Sequence, residues 1–264
     1  MKIDAKILED FVAKTTLNGT IPSCIMRTTE NGGTIYVRNG VAIACFGTLN
    51  KIAFKETSEL ELPIKSTDTL LKILKCFDGT ILLKVDNNIL KIYDEKREFD
   101  IVLAGKDYID NEINTDMLSK FNYEKSTMIS SEIFKRALTN NSILKEDSMQ
   151  VKVEQNVLRV ISGKSGFDKA EERLNIEYPN CSIELGPVSS DVFNVLDGDV
   201  QLEMKTNYPV KFVNTKKEME ITYFIAPIEN VEEEKKESTG DIPSQLVMPE
   251  VQNDDDSSGE IQAE

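Results

Sequence analysis

Apolar and polar positions along this 264-residue chain follow one figure that is written twice. Around Asp78-Gly79 a run with helical spacing passes into an alternating strand, and the same figure returns around Asp197-Gly198. A shift of 119 residues superposes Ile73 on Val192, Leu74 on Phe193 and Phe77 on Leu196, then Ile81 on Val200, Leu83 on Leu202 and Val85 on Met204. With one added residue the register continues: Leu90 falls on Val210, Ile92 on Phe212, Phe99 on Met219, Ile101 on Ile221 and Leu103 on Tyr223. Solenoid repeats recur every ~20–50 residues, so a period this long predicts two similar domains instead.

The elements follow from the same periodicities. Asp4 is placed to cap a helix reaching about Thr15, with Ile7, Leu8, Phe11 and Val12 on one stripe. Strands are expected over Ile21–Thr28, Thr34–Arg38 and Val41–Thr48, then a helix over Thr67–Cys76. After the Asp78-Gly79 turn come strands at Thr80–Val85, Ile89–Tyr93 and Phe99–Leu103, with Asn87-Asn88 and Glu95-Lys96 as hairpin turns. The second half repeats this order. It has a helix at Ser131–Thr139, whose Ile133, Phe134, Ala137 and Leu138 mirror the first stripe, strands at Met149–Glu154 and Val157–Ser162, and a short helix at Ser190–Leu196. Strands at Val200–Lys205, Val210–Asn214 and Ile221–Ile225 close it. Strands apolar on alternate positions need one covered face, and two amphipathic helices per half supply the cover. The expected class is α+β, with domains at 1–104 and 126–228. Residues 105–125 form an aperiodic connecting loop, and 229–264 an acidic tail read as disordered.

Charge sharpens that division. The net charge is −15, and residues 229–264 alone carry twelve carboxylates against two lysines. The tail has one apolar island, Ile242-Pro243-Ser244-Gln245-Leu246-Val247-Met248. The remainder is only mildly acidic, so a local basic face can still meet phosphate. No histidine is present, which removes the commonest general base and zinc ligand. Cys24, Cys45, Cys76 and Cys181 are far apart, without metal or disulfide spacing. No apolar run reaches membrane-spanning length and no signal-peptide pattern opens the chain, so an intracellular protein without cofactor or metal is expected.

The duplication, two helices per half, the long connector, Asn207-Tyr208-Pro209-Val210-Lys211-Phe212 and the ending Thr222-Tyr223-Phe224-Ile225-Ala226-Pro227-Ile228-Glu229 together resemble the DNA sliding clamps, the PCNA-like and tailed-phage processivity factors. The resemblance covers Met1 to about Asn230, and its specific motif is short. It implies duplicated clamp domains, helices lining a hole and sheets outside, three subunits closing a homotrimeric ring around double-stranded DNA. The partners it implies are a DNA polymerase and a clamp loader. The clamp itself is no enzyme and needs no cofactor.

Residues carry over by position. The hole-lining helices should be basic away from their sheets. At 100° per residue Lys65, Lys72 and Lys75 share one face of the second helix, Lys135 and Arg136 lie on the polar face of the third with Glu132, and the first offers Lys6 and Lys14 offset by Glu9 and Asp10. The fourth, with Ser190, Asp191 and Asn194, has no positive charge. The resemblance places a partner-peptide pocket between the connector (Met117, Leu118, Phe121) and Pro209, Phe224, Ile225, Ala226, Pro227 and Ile228, with Val41 on its floor. It places subunit contacts on edge strands, with Phe99, Ile101 and Leu103 on one side and the charged stretch Phe167–Ile176, including Arg173, Leu174 and Ile176, on the other.

Three other readings compete. A clamp-fold processivity factor working as a monomer or hetero-oligomer has the same sequence signature. An enzyme using Asp78 and Asp197 as a carboxylate pair is disfavoured, because both sit in Asp-Gly turns after helices. A nucleic-acid mimic would need acidic polar faces on all four helices, against Lys72, Lys75, Lys135 and Arg136.

Overall fold

The first helix begins where a carboxylate stops the strand before it. Asp4 ends β1 (Lys2–Asp4) and accepts the Lys6 amide at 2.9 Å, opening α1 (Ala5–Thr15). The computed structural model describes residues 1–113, 121–163 and 168–228. After α1 come β2 (Cys24–Thr29), β3 (Gly32–Asn39), β4 (Ile43–Asn50), β5 (Phe54–Glu56) and β6 (Leu60–Ile64). Next are α2 (Thr67–Leu74), β7 (Thr80–Asp86), β8 (Ile89–Tyr93) and β9 (Glu98–Val102). The same order, with one strand fewer between the helices, then returns as β10 (Thr127–Ser130), α3 (Glu132–Leu144), β11 (Met149–Glu154), β12 (Val157–Ser162), β13 (Ala170–Asn175) and β14 (Cys181–Leu185). It ends with α4 (Ser189–Val195), β15 (Asp199–Glu203), β16 (Val210–Thr215) and β17 (Met219–Ile225).

Three antiparallel sheets result. One runs β5-β1-β7-β8-β9, one β13-β12-β11-β14, and the longest β10-β15-β16-β17-β4-β3-β2-β6. This last sheet passes through both halves, joined where β17 pairs with β4 from Met219↔Leu49 to Ile225↔Ile43. Asn87-Asn88 has positive φ at both residues (46° and 64°), as a two-residue hairpin turn with the right twist requires.

The superposed apolar positions of the second half are buried throughout, as are most of the first, where Ile73, Val85, Phe99 and Ile101 are half-buried against the core. Phe134 of α3, Phe193 of α4 and Phe212 of β16 meet in the second half, the first two stacked at 4.6 Å between centroids and the third edge-on to Phe134 at 5.1 Å. Their counterparts Leu8, Leu74 and Ile92 fill the same places with aliphatic volume, and all six are buried. In the first half, α1 lies so close to β4 that a Cβ on Gly47 would come within 2.7 Å of Phe11 and Thr15. Only glycine admits that approach.

The boundaries differ from the sequence reading where local signals were weak. Helix α3 continues past Thr139 to Leu144 and stops at Lys145, which takes a left-handed φ of 56°. Strands β1, β5, β6, β10 and β14 are short or edge segments whose pairing comes from tertiary contact, not alternation. The predicted tail at 229–264 lies outside the described residues.

Candidate functional site

Contacts link the four helices into one row. Helix α1 packs on α2, α3 packs on α4, and Asp197, just past α4, receives the Lys14 ammonium of α1 at 2.9 Å. The polar faces of this row hold most of the cations expected to meet phosphate. Lys6, Lys65, Lys72, Lys75 and Arg136 are exposed and Lys135 half-exposed. Several already have a carboxylate nearby: Lys72 with Asp68 at 2.6 Å, Lys135 with Glu132 at 2.9 Å, Arg136 with Glu172 at 2.8 Å and Lys6 with Asp78 at 3.9 Å. Among the described residues Lys65 and Lys75 make no ion pair within 4 Å. The cations of the row are thus largely neutralised by carboxylates on the same helices and turns.

Lys14 is a correction. It was expected on the phosphate-facing side, but its side chain is 7% exposed and held by Asp10 at 3.0 Å and Asp197 at 2.9 Å. Lys216, from the β16–β17 hairpin, approaches the same two carboxylates at 2.9 and 2.8 Å. Burial raises the Asp197 pKa, but hydrogen bonds from Lys216 and Lys14 more than offset it and leave the carboxyl below its ordinary value. Asp197 is therefore more than a turn residue. It is one corner of a four-charge cluster between the two halves.

On the opposite face of the long sheet, register builds an aromatic patch whose centre, Phe224 and Ala44, is itself buried. Paired residues share a face, so Lys211↔Phe224, Phe224↔Ala44 and Ala44↔Arg38 form one row across β16, β17, β4 and β3. Thr222↔Phe46 and Phe46↔Tyr36 form the row beside it. Phe224, Ala44 and Ile113 make a small apolar cluster with Tyr36, Phe46, Phe121 and Tyr123 packed around it. The connector crosses this surface. It starts along β3, where the Arg38 amide donates to the Asn111 carbonyl at 2.9 Å and Arg27 ion-pairs with Glu112. It ends where the Tyr123 hydroxyl donates to the Pro209 carbonyl at 2.7 Å. Burial, reinforced by Glu203, pushes that phenol's pKa up and keeps it a donor.

Of the predicted pocket residues, the structure brings Phe121 and Phe224 together, 6.1 Å between ring centroids. Ala226 sits beside the Val41 turn, its amide donating to the Ala42 carbonyl, and Val41 is 62% exposed. Pro227 and Ile228 continue along β14. Ile225 is a correction: strand alternation turns it inward and it is fully buried. Pro209 is buried and contributes its carbonyl. Met117 and Leu118 lie outside the described residues. Ala44, Phe46, Tyr36, Arg38 and Lys211 join this patch through cross-strand register, which one sequence does not show. Tyr208 joins it from the loop before β16, edge-on to Phe121 at 5.8 Å.

Strands β9 and β13 each form a sheet edge. On β9, Phe99 and Ile101 are half-buried and Val102 is 71% exposed, while on β13 Arg173 is exposed and Leu174 half-buried. Leu103 and Ile176 are corrections, since both are buried inside their own half. Phe167 lies outside the described residues. Among the described residues no three acidic or cysteine side chains converge as a metal site, and no helix is long and apolar enough to cross a membrane.

No family model and no curated protein matches the chain. Solved structures do. PCNA from Entamoeba histolytica superposes with a TM-score of 0.73 at 16% identity, covering 86% of this chain and 97% of that one. A. fulgidus PCNA bound to the C-terminal region of FEN-1 gives 0.73 at 15%, covering 86% and 96%. PCNA from Thermococcus kodakaraensis gives 0.70 at 17%, covering 86% and 99%. The antiparallel sheets, the helix row and their repeated order are therefore those of a PCNA-like sliding clamp, and that is the fold of this chain.

Proposed function

We propose that the chain is a subunit of a DNA sliding clamp, a ring that encircles duplex DNA and tethers a polymerase and other DNA-processing proteins at the replication site. The observation that carries this reading is that each half ends a sheet in an open edge strand. β9 bears Glu98 and Asp100 beside exposed Val102, and β13 bears exposed Arg173 beside Glu171, with which it pairs at 2.8 Å. One edge of a copy can extend the other edge of the next, a head-to-tail contact that closes into a ring. The domain division at 1–104 and 126–228, with 105–125 between, belongs to the same proposal. In it Lys65, Lys72 and Lys75 face the phosphates, and the Phe224–Phe121 surface takes a partner peptide.

Light scattering over a concentration series tests it. A closed homotrimer has three times the 29.7 kDa of one chain. The protein should then be retained on nicked circular DNA and lost on linearisation. A mass fixed at one chain under all conditions refutes the homotrimer. The Sulfolobus tokodaii neighbour is described as a PCNA2–PCNA3 complex, so a second reading is a hetero-oligomeric clamp, in which this chain gains mass only with a different clamp-fold subunit.

A further inference from the structure

The described fold ends at Ile228, whose amide donates to the Glu184 carbonyl at 2.9 Å. Phe224, at the centre of the aromatic surface, lies four residues earlier, at most about 13 Å away along an extended chain. Thirteen residues then separate Ile228 from the apolar island Ile242–Met248. A random chain of thirteen residues would span about 20 Å root-mean-square, a length sufficient to return the island to the patch.

The chemistry of the two parts is complementary. Arg38 and Lys211 flank Ala44 and Phe224 in their row, with Glu203 following beyond Lys211, and Lys205 lies 4.8 Å from the centroid of the Tyr208 ring at the margin. Lys211 is already engaged by Glu203 at 3.0 Å and Lys205 by Glu124 at 3.6 Å. The Arg38 guanidinium, by contrast, makes no ion pair among the described residues and donates to the Asp110 carbonyl at 3.4 Å. The matching ligand is a short apolar segment flanked by carboxylates. Ile242–Met248 lies between Asp241 and Glu250, within a tail of net charge −10.

We propose that residues Ile242–Met248 of the chain's own tail dock over the aromatic patch around Phe224, against the half-buried rings of Tyr36, Phe46, Phe121 and Tyr208, and compete with external peptides for it. This rests on the reading of that surface as a peptide-docking site. Tethering gives the segment an effective concentration in the millimolar range, so even a weak intrinsic contact occupies the surface most of the time. An external partner then binds only if it outcompetes the tail, which selects for tight or multivalent partners.

The probe is a fluorescent synthetic peptide copying residues 239–252, titrated by anisotropy into two full-length proteins. One is the wild-type chain and the other carries Leu246→Asp with Met248→Asp. The expected result is at least ten-fold tighter peptide binding by the double variant, because its own segment no longer competes. Adding Arg38→Glu to that variant should weaken peptide binding several-fold while leaving the circular-dichroism melt unchanged. Equal affinity in the wild type and the double variant overturns the proposal, as does absence of binding to the double variant. Neither result depends on DNA or subunit number. A failed ring assay with intact competition would therefore sink the clamp function and leave the docking.

Discussion

Lys14 of α1 reaches 2.9 Å to Asp197 in the turn after α4, so one buried ammonium ties residues 183 positions apart. Lys216 braces the same carboxylate from the last hairpin at 2.8 Å. Two lysines shared between Asp10 and Asp197 leave no net charge, and the cluster adds an ionic strap to the β17–β4 pairing.

The strap should be measurable in stability. Lys14→Met leaves both carboxylates with Lys216 alone and is expected to cost about 1–3 kcal/mol, below the range for a fully buried pair because the carboxylates are part-exposed. A double-mutant cycle with Asp197→Asn, read by urea unfolding, should show coupling of at least about 0.5 kcal/mol. Additive losses would mean that the contact contributes nothing specific.

Stability should fall in acid. Burial raises Asp197, but hydrogen bonds from Lys216 and Lys14 bring its pKa below the ordinary value. A hydrogen bond from Arg136 lowers Glu172, and one from Arg173 lowers Glu171. A carboxylate with a depressed folded-state pKa contributes stability that is present above its unfolded pKa and lost as pH falls through the folded one. With no histidine in the chain, the melting temperature is expected to stay level between about pH 5.5 and 7 and to drop below about pH 4. A transition near pH 6.5 would contradict this.

Much of this was legible in the sequence. The superposed apolar pairs located the helices and main strands, because burial on one face imposes a period that survives in the letters. Lys14 was misjudged because helical spacing separates polar from apolar faces but does not say what lies opposite the polar one. Ile225 was misjudged because a motif read as a string ignores the alternation that turns every second residue inward. The Arg38–Ala44–Phe224–Lys211 row joins strands nearly 190 residues apart in sequence, and only the pairing brings it together.

The β9 edge gives a test of assembly that spares the fold. Val102 is 71% exposed, so Val102→Lys should change stability by no more than about 0.5 kcal/mol. If β9 joins β13 of the next copy, that lysine should lower the native mass at a given concentration. An unchanged mass, with the wild type assembled, would move the interface elsewhere.

Gly47 tests the contact of α1 with β4. A methyl group there meets Phe11 and Thr15 at 2.7 Å, so Gly47→Ala is expected to cost about 1–3 kcal/mol through overpacking. A thermal melt matching the wild type would show that α1 can lift away freely.

The pairing of β17 with β4 also dictates an order of synthesis. Leu49 leaves the ribosome long before its partner Met219 is made, so β4 waits as an open edge while most of the chain is translated. Contacts of such sequence separation form slowly, and an unpaired edge invites neighbouring chains to add to it. The final strand therefore acts as the closing stitch of the first half as well as of the second, and a nascent chain stalled before Ile225 carries an exposed seam that a full-length one does not.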